Sequence, residues 1–480
     1  MTDRDPRFDL PEPGPPDETG PAEDPRREGG DRPDSEGRHI GGWVALFGIL
    51  FALIGLQLVA YLGRKPDSAF ELSGISQQFQ ITVAQRQALA LTGSSAAADT
   101  AIRGSFDTLL DRLRPKVASE PDAAVMYVAM RHEQGDDVTP EDLEAVERGT
   151  GEQYALVAEV YREDEITLER AREIRDALAT YPFAFRMAGL HALEKAGDTA
   201  SRSEMFPRSK AIVTFLAISL IGGMSFLGIL LWMVYGMLRA AGKLKPIGHP
   251  IPALTALEAD GFAMRAAIML VVFMVGGSLF GSSLAQFLPE NAAKSIAYTL
   301  VVVTTIWLAA VPVGPRRLSL LKLAVRKKDA LVNVAWGVGA ACANLPVVLA
   351  LAVFFQWLLR GLPAPSHPVT IELANRQDLA TVILLFMLAT VVAPIVEELM
   401  FRGAMLPAMV RLFASPVLAI LCSSLLFAAI HPTGIPAWPA LAMTGAVAAM
   451  VGWQRGSLVS SIAMHATHNF ALVTLTTALF

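Results

Sequence analysis

Residues 378–402 read DLATVILLFMLATVVAPIVEELMFR. From Leu379 to Val396 nothing is charged, and a helix needs roughly 20 apolar residues to cross a bilayer. Pro394 interrupts the run, and Glu397, Glu398 and Arg402 follow it closely. Ionisable groups within a membrane span are costly to keep and usually functional. On a helix Glu398 and Arg402, four apart, share a face, so the guanidinium can neutralise that carboxylate. Glu397 points about a hundred degrees away and is free for another partner.

Working outward, similar apolar blocks recur. They fall at 40–62, 211–237, 262–286, 295–314, 331–358, 378–400, 416–430, 437–453 and 457–478, which makes nine expected spans. The composition agrees: of 480 residues 53% are hydrophobic and 18% charged, with a mean hydropathy of +0.43. Soluble domains carry about 25% charged residues. The expected fold is all-α, a polytopic helical membrane protein with a helical soluble domain inserted after the first span.

Five segments follow. Residues 1–38 are acidic and rich in Pro and Gly, with too little apolar surface to offset the entropy of ordering, which predicts a disordered tail. It is too long and acidic for a signal-peptide start, so 39–64 reads as a retained anchor helix. Residues 65–210 carry dense charge and helical periodicity. Thr139-Pro140-Glu141-Asp142 is a helix start, and Leu168, Ala171, Ile174 and Leu178 recur at helical spacing. Residues 211–375 form membrane helices, and 376–480 hold the candidate chemistry. Trp43, Trp232, Trp438 and Trp453 read as interface anchors.

Arg239, Lys243 and Lys245 follow the second span; Arg316, Arg317, Lys322, Arg326, Lys327 and Lys328 follow the fourth. Both clusters fall on one side, which the positive-inside rule makes cytoplasmic. The N-terminus is then cytoplasmic and 65–210 external, in the cell (inner) membrane.

Two further apolar runs contain polar groups. Phe427-Ala-Ala-Ile-His431 puts an aromatic ring and an imidazole on one helix face, with Pro432 ending the run. His465-Ala-Thr-His-Asn469 does the same for an imidazole and an amide, and both can donate to a developing oxyanion. A base, a water-orienting or metal-binding His and an oxyanion pair suffice to hydrolyse a peptide bond with activated water.

Glu397-Glu398-Leu-Met-Phe-Arg402, Phe427 to His431 and His465 to Asn469 stand in the order of the EExxxR, FxxxH and HxxxN motifs. In this the chain resembles the CAAX prenyl endopeptidase and bacteriocin-processing (CPBP or Abi) membrane proteases, over roughly residues 380–475. The resemblance implies that Glu397 activates water with His431, that His465 and Asn469 stabilise the oxyanion, and that Glu398 and Arg402 hold the geometry. The family is often called metalloprotease-like, while a glutamate-activated water without zinc is also proposed for it. Zinc is therefore a candidate cofactor, with Glu397, His431 and His465 as candidate ligands. His468 reads as a packing residue rather than a further ligand.

Other chemistries fit poorly. His132-Glu133 lacks the second His of HExxH. Gly281-Ser282-Ser283 is not a GxSG serine site, and neither a GxGD motif nor a Walker loop occurs. Cys342 and Cys422 lie far apart in apolar runs, which argues against a disulfide framework. No basic cluster interleaved with aromatics suggests nucleic acid. The expected partners are a protein or peptide substrate and the bilayer, with 65–210 able to recruit a partner its sequence does not name. Bacterial-looking relatives need not process prenylated proteins. The alternatives are a non-catalytic scaffold or immunity-type binding protein that keeps the fold, and a small-solute transporter.

Overall fold

A computed structural model describes residues 39–62, 68–90, 96–243, 254–320, 329–359 and 379–479, with isolated positions between them. The 1–38 tail, Lys245, Lys322, Arg326, Lys327 and Lys328 lie outside the described residues. Among the described residues every extended element is helical and no strand occurs. The chain is a multi-pass helical membrane protein.

α1 spans Gly41–Leu62. Eight helices follow: α2 (Ser68–Ala90), α3 (Ala96–Val117), α4 (Pro121–Gln134), α5 (Pro140–Glu147), α6 (Glu152–Arg162), α7 (Leu168–Leu178), α8 (Phe183–Lys195) and α9 (Ala200–Met205). They share a core of their own, built around Phe79, Phe106, Met130, Val157 and Leu193. The expected start of α5 is present as a capping box: Thr139 accepts from the Asp142 N–H, and Asp142 accepts from the Thr139 N–H. On α7 Ala171, Ile174 and Leu178 are buried, while Leu168 is 39% exposed. That residue opens the helix and lies beyond the packed stripe.

The remaining helices are α10 (Arg208–Ala240), α11 (Ala256–Leu284, with a π turn at Val272–Gly276), α12 (Glu290–Ala310), α13 (Ala330–Leu358), α14 (Leu379–Phe413), α15 (Pro416–Ala429), α16 (Trp438–Arg455) and α17 (Leu458–Leu479). Seven helices among the described residues are long and apolar enough to cross a membrane, against nine expected spans. The other two runs are helices as well. With 14 residues, α15 rises only about 21 Å, less than the hydrocarbon core. α17 is long enough, but His465, His468 and Asn469 dilute its hydropathy. α14 exceeds its expected end at residue 400, because Arg402 is neutralised inside the bundle and does not mark a helix end. Trp453 is buried in the core rather than placed at a lipid interface.

Five contacts fix which ends lie together. The Gly42 and Trp43 amides donate to Asp260, and Glu258 pairs with Arg316. Arg455 donates to Asn333 at 2.9 Å, and Thr214 to the Ala478 carbonyl at 2.7 Å. One end of the bundle thus holds the starts of α1, α11, α13 and α17. The other holds the end of α17 and the start of α10, against which α2 packs. Close approach between helices depends on glycine: a Cβ at Gly337 would meet Ser460 O at 2.5 Å, and one at Gly228 would overlap the Cys342 carbonyl. Both cysteines are free thiols.

Candidate active site

α14 is not a uniform helix. It widens into π turns at Leu388–Val392 and Leu399–Met405, each ending two residues before a proline. Proline donates no hydrogen bond and its ring crowds the carbonyl four residues back, so the backbone before Pro394 and Pro407 relaxes outward. Asn469 on α17 donates at 2.9 Å to the Ala389 carbonyl in the first π turn. The two π turns bracket the short α-helical piece Ala393–Glu398, which carries both carboxylates.

Glu398 is fully buried and saturated. One carboxylate oxygen accepts from Arg402 Nη1 at 2.9 Å and from His465 Nδ1 at 2.9 Å; the other accepts from the Ser461 hydroxyl. Arg402 also donates to the Gly445 carbonyl at 2.7 Å, and its guanidinium lies 4.7 Å above the Phe427 ring. Charge-assisted bonds of this kind compensate for burying both ions. The approach of α16 requires Gly445: a Cβ there would meet Arg402 Nη2 at 3.0 Å, Ser424 Cβ at 3.2 Å and Phe427 Cδ1 at 3.3 Å.

Glu397 is 7% exposed, and its Oε2 accepts no hydrogen bond. That oxygen lies 3.8 Å from His431 Nε2 and 3.8 Å from His465 Nε2. Tautomers follow from the partners. His431 Nδ1 sits 2.5 Å from the Phe427 carbonyl, which can only accept, so Nδ1 carries the hydrogen. His465 Nδ1 donates to the Glu398 carboxylate by the same reasoning. Both rings therefore turn Nε2 toward Glu397. Phe427 packs between them, with ring centroids 4.5 Å from His431 and 5.6 Å from His465.

This arrangement lies within the stretch of chain that one comparison matches. The family model of Type II CAAX prenyl endopeptidase Rce1-like matches residues 379–471. Residues 379–471 form an Rce1-like domain. It takes in α14, α15, α16 and most of α17, and leaves α1 to α13 outside. The match supports a membrane-embedded endopeptidase whose substrate is a peptide chain. Comparison with curated proteins and with solved structures finds no match.

Within the Rce1-like domain Glu397, Glu398, Arg402, His431 and His465 come together. Asn469 lies one turn further along α17 and spends one N–H on Ala389. His468 is buried with Nδ1 unpaired. Among the described residues no group of three or more His, Cys, Asp or Glu side chains converges to hold a metal ion. Glu398 is consumed by its own partners, which leaves Glu397, His431 and His465 as the nearest approach to such a set. Sequence reading missed two contributors. Ser461 was findable, since Ser461, His465 and Asn469 form one stripe at spacing four. Gly445 left no signal, because its role is an absence of side chain.

Proposed function

We propose that the chain is an intramembrane endopeptidase of the CAAX type, with Glu397 as the base that activates the attacking water. The observation that carries this is the division of labour between adjacent carboxylates. Glu398 is locked by Arg402, Ser461 and His465, while Glu397 Oε2 is buried, unpaired and flanked by two imidazole nitrogens at 3.8 Å. A water within hydrogen-bond reach of both Glu397 Oε2 and His431 Nε2 would sit beside the 3.8 Å line that joins them, not on it.

Water donates one proton to Glu397 and a hydrogen bond to His431 Nε2, and its oxygen adds to the scissile carbonyl carbon. The proton taken by Glu397 passes to the amide nitrogen as the C–N bond breaks. The second N–H of Asn469, and His465 Nε2 when that ring is protonated on both nitrogens, supply donors to the oxyanion. Glu398 accepts from His465 Nδ1 throughout and keeps that ring oriented. If the basic clusters face the cytoplasm, α2–α9 lie outside the cell membrane and serve to recruit substrate or a partner.

The test compares new protein N-termini in membranes of cells carrying wild type or Glu397→Gln at matched abundance. Termini absent only in the variant establish proteolysis and name the substrate. Identical termini overturn the proposal in favour of a non-catalytic scaffold.

A further inference from the structure

We infer that α1, which lies outside the Rce1-like domain, is part of the catalytic apparatus: Gln57 is a positioning residue that fixes the turn bearing His431. The inference rests on the protease reading above.

α15 ends at Ala429, and the carbonyls of its last turn have no partners within the helix. One of these, and the carbonyl of the capping residue Ile430, are satisfied in ways that matter to the site. The Phe427 carbonyl accepts from His431 itself. The Ile430 carbonyl accepts from Gln57 Nε2, reaching across from α1. One helical turn further along α1, buried Tyr61 packs on Gly434, where the chain reverses with φ +90°. A Cβ at Gly434 would come within 2.7 Å of the Tyr61 ring, so the contact is tight and the turn requires glycine twice over. The segment between Ile430 and Gly434 contains His431 and is gripped at both ends by one helix.

α1 is itself well anchored. Leu46 and Leu50 are buried on the same face, packed in the core that holds Phe401 and Phe427. At its start the Gly42 and Trp43 amides hold Asp260, with Gly42 too close to the α11 backbone to carry a side chain. The helix is thus a strut between α11 and the His431 turn. His431 lies two residues past the end of α15 and just before a proline, so α15 holds it from one side only. Misplacing a reacting group by about 1 Å costs on the order of a hundredfold in rate.

The experiment uses full-length protein in membranes and follows the rate at which Glu397-dependent N-termini appear. Gln57→Leu removes the donor, and Gln57→Glu restores it only when the carboxyl is protonated. At pH 7.5 both variants should cleave roughly ten- to hundredfold more slowly than wild type at unchanged abundance and melting temperature. As pH falls to 5.5, Gln57→Glu should regain rate relative to wild type while Gln57→Leu does not. Wild-type rates in both variants, beside an inactive Glu397→Gln, overturn the inference. A pH-independent loss that tracks a lowered melting temperature also overturns it, since the contact is then only structural. If Glu397→Gln itself proves fully active, the protease reading has failed. Hydrogen exchange over 430–437 then decides the contact: faster exchange in Gln57→Leu, with α17 unchanged, supports the grip of α1 on the turn, and unchanged exchange overturns it.

Discussion

Glu397 Oε2 lies 3.8 Å from His431 Nε2, and neither atom belongs to the ion pair that neutralises Glu398. Glu397 lies on α14 and His431 in the turn after α15, and they meet because α14 and α15 pack around the Phe401 and Phe427 rings, whose centroids are 5.2 Å apart. Adjacent carboxylates with opposite duties predict opposite mutational signatures.

Glu397→Gln should reduce cleavage by about 10²–10⁴-fold, the scale of a lost general base, with little change in melting temperature. Glu398→Gln should instead destabilise the protein by roughly 3–5 kcal/mol, because Arg402 is left buried without a counter-charge. Thermal unfolding of purified protein beside cleavage rates separates the two.

Gly445→Ala should cost about 1–3 kcal/mol by overpacking against Arg402, Ser424 and Phe427, and should slow cleavage as α16 moves away. Gly456→Ala, at a left-handed turn with φ +61° beyond the site, is the comparison. It should lower stability by about 1 kcal/mol and leave the rate per folded molecule unchanged.

Chelation should leave cleavage unchanged, since no three metal-ligating side chains converge among the described residues. Activity lost to a chelator and restored by zinc would instead assign Glu397, His431 and His465 as ligands.

The α2–α9 helices should lose stability on acidification in two steps. Burial, with the charges of His191 and Lys195 adding to it, pushes His132 down to about 4 from an ordinary 6.5. The neutral ring favours the folded state fully above pH 6.5, and that contribution is lost as pH falls toward 4. Burial would raise Glu133, but the hydrogen bonds and charges of His191 and Arg202 outweigh it and hold the carboxyl at about 2 against 4.5. Its contribution is present above pH 4.5 and is lost between there and 2. Melting temperature against pH should therefore fall first between 6.5 and 4, and His132→Asn should flatten that limb alone.

The sequence by itself determined what lies within one helix. Apolar length marked the membrane helices, and spacing of four put Glu398 under Arg402 and His465 in line with Asn469. The same spacing wrote the capping box of α5. These relations follow from residues four apart sharing one helix face. Where the reading failed it assumed an unperturbed helix. The span was expected to end at residue 400, yet α14 continues through π turns to Phe413, with Arg402 taken up by Glu398 and the Gly445 carbonyl. Only the tertiary structure decided what spans many residues: Ser461 and His465 on Glu398, the Gly445 carbonyl on Arg402, and Gln57 on Ile430 across 373 positions. Each depends on how closely two helices approach, which is fixed by side-chain volumes on both surfaces at once and by glycines whose contribution is the side chain they lack.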